Sequence, residues 1–193
     1  MTLLPCYDLK LDFPHFKPGF TDPEFPPSPE LATKVKLFEG EEVFSQELLD
    51  FFRSKNLTPS RSQIGYTVPG ASMRIHLDGY YVDDKLLTPV YAINWVTNPE
   101  GTSLKWYDPH GKPGKQHITS GKTTLTYWDP ADVTLIYEKQ VSGPTLVRVD
   151  IPHQGCTTSD IPRWCYSLRL APFVKSWEEA VELFSDLIID RHA

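Results

Sequence analysis

Between residues 62 and 170 the chain alternates short runs of β-branched and aromatic residues with clusters of Gly, Pro, Asn and Asp. Such runs read as strands over 62–68, 72–77, 90–96, 103–107, 123–127, 133–138, 145–151 and 164–170. Eight short strands with turns this regular predict a mainly β fold, a two-sheet jelly roll or barrel. On either side the pattern switches to the helical period. Ser45 is placed to cap a helix over 45–55, in which Leu48, Leu49, Phe51 and Phe52 form an apolar stripe and Asn56 and Pro59 end the run. Ser176-Trp177-Glu178-Glu179 has the form of a capping box. It opens a helix over 176–190 with Trp177, Ala180, Val181, Phe184 and Ile188 at helical spacing, a stripe expected to pack on the outside of a sheet. Residues 1–30 carry seven prolines with Phe13, Phe16, Phe20 and Phe25 between them. Proline blocks regular structure there, and the aromatics predict an arm wrapped over the body. The segment 108–115 reads as a surface loop.

Composition adjusts this picture only slightly. At 193 residues the chain suits a single domain with a real core. Eighteen prolines against eleven glycines favour short elements over long helices. The net charge of -6 argues against a nucleic-acid backbone or an anionic membrane as the main partner. The first ten residues lack the pattern of a signal peptide, and no stretch has the length of an apolar membrane span. Cys6, Cys156 and Cys165 form neither a C-x-x-C pair nor a disulfide framework. A cytoplasmic setting is the expectation.

The candidate chemistry starts at Met73-Arg74-Ile75-His76-Leu77-Asp78-Gly79. Side chains alternate along a strand, so His76 and Asp78 project to the same side. An imidazole and a carboxylate sharing one point are two thirds of the facial triad that holds non-haem iron(II). Of the histidines further on, His110 in the Pro/Gly loop and His192 near the C-terminus read as solvated, and His117 lies on a short polar stretch. His153 follows the apolar run 145–151 and precedes a turn, where it is positioned to face a barrel mouth. Arg163 opens the strand Arg163-Trp164-Cys165-Tyr166-Ser167-Leu168-Arg169-Leu170. On an inward face its charge needs a partner, and a carboxylate bound bidentately is the natural one.

His76-x-Asp78, then His153, then Arg163 resembles the His-x-Asp…His…Arg signature of iron(II)- and 2-oxoglutarate-dependent oxygenases. With the text around Tyr91–Trp95, Lys105–Tyr107 and Ser167–Leu170, residues 62–171 look like small bacterial and phage proteins related to the aspartyl/asparaginyl β-hydroxylases. The resemblance implies a double-stranded β-helix, a cupin-like jelly roll, with iron(II) held by His76, Asp78 and His153. It implies 2-oxoglutarate as cosubstrate with its far carboxylate on Arg163, Asn94 orienting it by a hydrogen bond, and dioxygen as oxidant. The expected reaction is hydroxylation of an amino-acid side chain, free or in a peptide, with release of succinate and CO2. One departure stands out: the hydroxyl that the family often places two residues after the arginine is here Cys165, a poor donor. Ser167 and Arg169 share the parity of Arg163, so the carboxylate clamp is open to a different assembly. Two other readings stay open, a jelly-roll binding or structural module without turnover, as in phage particles, and a cupin-type metalloenzyme that does not use 2-oxoglutarate.

Overall fold

The structure is a computed structural model and describes residues 3–24, 33–82, 85–118 and 123–189. Chain order begins with strands β1 (Cys6–Asp8) and β2 (Thr33–Phe38), then helices α1 (Gly40–Val43) and α2 (Gln46–Ser54). Strands β3 (Thr58–Thr67), β4 (Ile75–Val82), β5 (Lys85–Leu87), β6 (Tyr91–Thr97) and β7 (Thr102–Asp108) follow. The rest comprises β8 (Lys115–Ile118), β9 (Thr123–Trp128), β10 (Thr134–Lys139), β11 (Thr145–Arg148), β12 (His153–Thr157), β13 (Arg163–Ala171) and helix α3 (Trp177–Leu183).

The strands form two antiparallel sheets, one ordered β1-β11-β6-β13-β3-β2 and the other β10-β7-β12-β4-β9-β8, with β5 added on β4. Most neighbours in each sheet come from distant parts of the chain, with β2–β3, β4–β5 and β8–β9 the consecutive pairs, so hairpins alone do not generate this order. Two facing sheets with such crossovers make a jelly roll. All eight expected strands are present within a few residues. The first is longer (58–67), and the one expected over 72–77 runs from 75 to 82 because its first residues form only the isolated bridge Ser72–Cys156. Five further strands are new relative to the sequence pattern. Of these, β2 is an edge strand whose Lys34 and Lys36 make the run read as polar, the usual protection of a sheet edge. The strand β8 starts at the end of the expected 108–115 loop.

The helices lie on one side. Ser45 caps α2 by accepting from Leu48 N–H at 3.1 Å, and Leu48, Leu49 and Phe52 are buried. Ser176 caps α3 by accepting from Glu179 N–H at 3.2 Å, but this helix ends at Leu183, short of the expected 190. Ile188 then pairs with Leu9 in an isolated bridge, so the last apolar residue of the stripe joins the arm. Trp177, Phe184, Leu48, Phe52 and Tyr166 share one core with Ile93 and Leu168 of the six-stranded sheet. The arm contributes to that core: Phe16 packs edge-on against Tyr166 with centroids 4.9 Å apart, and Phe13 lies 5.2 Å from Phe51. Phe25, Pro26, Pro27, Pro29 and His192 lie outside the described residues. With the outer face of this sheet covered by helices and arm, its inner face is left to line a cavity against the other sheet.

Candidate metal centre

Strand parity decides which side chains enter that cavity. On β13 the residues Arg163, Cys165, Ser167 and Arg169 all line it. On β6, across from Ser167 in register, Asn94 does the same. From the opposite sheet come His76 and Asp78 of β4 and His153 of β12.

The strands β4 and β12 meet at a single register pair, His153 against His76. The two imidazoles therefore sit side by side with ring centroids 4.5 Å apart. The chain bends over Asp150-Ile151-Pro152 after β11, so His153 opens its own strand instead of ending the preceding one. One ligand atom from each of His76, Asp78 and His153 falls within 4.8 Å of the others, and this group could hold a metal ion.

The ring tautomers favour the same use. His76 Nδ1 lies 2.7 Å from the Arg74 carbonyl, and His153 Nδ1 lies 3.0 Å from the Ile151 carbonyl. A carbonyl only accepts, so each Nδ1 carries the hydrogen and each neutral ring offers its Nε2 lone pair to the centre. This backbone support is the arrangement that metal-ligating histidines use to fix ring orientation. His76 Nε2 is 3.4 Å from Asp78 Oδ1, while the other carboxylate oxygen, Oδ2, accepts from Arg169 Nη2 at 2.5 Å.

The electrostatics follow from burial and these partners. Burial pushes the Asp78 carboxyl up, but the His76 hydrogen bond and the Arg169 charge outweigh it and hold the group well below the usual carboxylate range. Burial works against a charge on His76, yet the Asp78 hydrogen bond and charge overcome it, and its pKa rises. His153 is pushed down from 6.5 to about 4 by burial and then by the His76 charge beside it. The site thus takes one proton readily and refuses a second. A divalent cation at this point would replace that proton and satisfy both rings at once.

A stability prediction follows for the metal-free protein. In the unfolded chain His153 takes up a proton near pH 6.5; in the folded chain it does so only near pH 4. Between these values the unfolded state binds more protons, so stability falls as pH drops through the window, by on the order of 3 kcal/mol. His76 acts with the opposite sign and above the window, because its raised pKa adds stability that is lost as pH climbs past 6.5. Urea midpoints measured in chelator are expected to fall from pH 6.5 to 4 in the wild type and to stay nearly level over that range in His153→Gln.

The remaining sequence candidates fall as follows. Arg163 is 3 % exposed, and among the described residues it has no acceptor for any of its guanidinium hydrogens; its Nε is fully enclosed and unpartnered. Asp150 is paired with Arg148 at 2.7 Å. Cys165 stands two residues on, as the sequence shows, and contributes no hydroxyl. Arg169, noted in the sequence for its parity alone, pairs with Asp78 across 91 residues of chain. No local pattern reports such a contact. His110 bonds Thr134 at 2.8 Å in an exposed turn, and His117 sits exposed on β8, 6.4 Å ring to ring from Tyr127. Neither joins the cluster.

No protein-family model matches the sequence, and no curated protein matches it significantly. Among solved structures the chain resembles E. coli ycfD, with 18% identity over 66% of this chain and 29% of that one, at a TM-score of 0.34. It is similar to a single-residue mutant of Bacillus subtilis oxalate decarboxylase OxdC, with 12% identity over 81% of this chain and 31% of that one (TM-score 0.35). Vicilin from Solanum melongena gives 11%, 88%, 36% and 0.36 in the same terms. The chain spans about a third of the length of these structures. The jelly roll therefore rests on this chain's own strand order. No helix among the described residues is long and apolar enough to cross a membrane.

Proposed function

We propose that the protein is a metal-dependent oxygenase that uses 2-oxoglutarate. The donor set of two imidazoles and one carboxylate is the one that suits non-haem iron(II) while leaving coordination positions for other ligands. Iron(II), with 2-oxoglutarate and dioxygen, supplies oxidation of a C–H bond with release of succinate and CO2. His76 and His153 would hold the metal through Nε2, each ring aimed by its carbonyl partner, and Asp78 would hold it through the oxygen that Arg169 does not occupy.

Arg163 carries the reading. A buried charge without a partner is costly, and this one faces a cavity that also contains the candidate metal ligands. A ligand with an anionic group at each end, one for the metal and one for the guanidinium, removes that cost. Gly155 supports the placement, since a Cβ there would lie 3.1 Å from Arg163 Nη1 and 3.3 Å from Met73 Sδ. Gly155→Ala is expected to shift the guanidinium by a few tenths of an ångström and to weaken 2-oxoglutarate severalfold at unchanged metal affinity, read by calorimetry.

The proposed substrate is an amino-acid side chain, free or in a peptide, on the strength of the sequence resemblance. The three free cysteines fit a reducing, cytoplasmic setting. Adding 2-oxoglutarate to the iron(II)-loaded protein without oxygen is expected to raise a weak visible charge-transfer band, and candidate amino acids and peptides are then screened for substrate-dependent succinate release. Metal binding without the band favours a metalloenzyme of another kind; neither metal nor 2-oxoglutarate binding leaves a binding module.

A further inference from the structure

A chain of three side chains crosses the inner face of the six-stranded sheet. Arg169 Nη1 donates to Ser167 Oγ at 2.5 Å, and Ser167 Oγ donates to Asn94 Oδ1 at 2.6 Å. All three residues are buried, at 5 %, 2 % and 8 % exposure. The directions of these bonds follow from chemistry. A guanidinium only donates, so the serine oxygen accepts from Arg169, and among the described residues only Asn94 Oδ1 takes the serine's single hydrogen. The atom of Asn94 facing that hydrogen must accept, which makes it Oδ1. Nδ2 is thereby turned the other way. Among the described residues nothing accepts from Nδ2, it is not among the fully enclosed unpartnered atoms, and Asn94 lines the cavity.

We infer that Arg169 and Ser167 are positioning residues that fix the polarity of Asn94, so that its amide meets a ligand as a hydrogen-bond donor. The same guanidinium holds Asp78 Oδ2, so one buried charge orients both a candidate metal ligand and a donor to the anion beside it. Without the serine hydroxyl the amide loses the contact that distinguishes its two ends, and either oxygen or nitrogen then faces the cavity. The cavity surface between the candidate metal site and Arg163 accordingly selects an acceptor, such as a carboxylate or keto oxygen. This deepens the oxygenase reading and rests on it for the identity of the ligand.

The test uses the full chain loaded with manganese(II), with 2-oxoglutarate as the probe, titrated calorimetrically without oxygen. Asn94→Asp keeps the acceptor for Ser167 and turns the donor facing the cavity into a second acceptor. It is expected to weaken 2-oxoglutarate by at least about tenfold, the worth of one hydrogen bond to a charged group, with manganese affinity unchanged. Ser167→Ala is expected to weaken it by about three- to tenfold and Ser167→Thr to restore it. A readout without ligand accompanies this: the Asn94 side-chain amide, followed by 15N relaxation in the metal-free protein, is ordered in wild type and Ser167→Thr and mobile in Ser167→Ala. Equal 2-oxoglutarate affinity in wild type and Asn94→Asp, or an Asn94 amide indifferent to Ser167→Ala, overturns the inference while leaving the oxygenase reading in place. Failure of the wild type to bind 2-oxoglutarate overturns that reading, and the ligand-facing role of Asn94 with it.

Discussion

Asp78→Ala is expected to abolish tight divalent-metal binding and to destabilise the metal-free protein by about 3–5 kcal/mol, the usual consequence of removing one partner of a buried ion pair. The first effect follows from the loss of the only carboxylate in the cluster. The second comes from Arg169, which is 5 % exposed and among the described residues would keep only Ser167 as a partner for its charge. The two effects separate in a double variant. Asp78→Ala with Arg169→Met removes both charges and fills the space with apolar volume, so most of the stability is expected to return and the metal affinity is not. Chemical denaturation and metal titration on the three variants check this. If Asp78→Ala unfolds at the wild-type denaturant concentration, the buried pair contributes nothing and the account of Arg169 fails.

Arg163→Met gives the second large effect, with opposite signs in two measurements. Removing a buried charge that has no partner among the described residues is expected to raise the stability of the ligand-free protein, since the stem is replaced and the desolvation cost disappears. The same change is expected to weaken 2-oxoglutarate by about a hundredfold or more, because a charge-assisted pair with a buried guanidinium is lost. Metal affinity should stay as in the wild type. A residue that costs stability alone and returns it only with a ligand is the pattern of a binding site maintained against the fold's interest. Loss of metal affinity in this variant would place Arg163 in the metal centre's support and not in an anion pocket.

Much of this was legible in the sequence, for identifiable physical reasons. The period of two on a strand puts His76 and Asp78 on one side wherever the strand lies, and that parity holds in β4. The same rule puts Arg163, Ser167 and Arg169 on one face of β13. The caps at Ser45 and Ser176 were readable because a side chain three residues from its backbone partner is a local event. What parity does not carry is which strand lies opposite. The His153–His76 pairing and the Arg169–Asp78 contact depend on sheet order across long chain separations. Strand β12, His153-Gln154-Gly155-Cys156-Thr157, has little intrinsic β preference. It is held by β7 over five register pairs and by the Gln154 amide donating to the Met73 carbonyl at 2.6 Å. The histidine that completes the cluster thus sits on a strand made by its neighbours.

The most direct test of the central claim is an anomalous diffraction measurement on crystals grown with manganese(II), without oxygen. The account predicts one strong peak bonded by Nε2 of His76, Nε2 of His153 and a carboxylate oxygen of Asp78. A peak elsewhere, or none at that point in a crystal soaked to saturation, contradicts it.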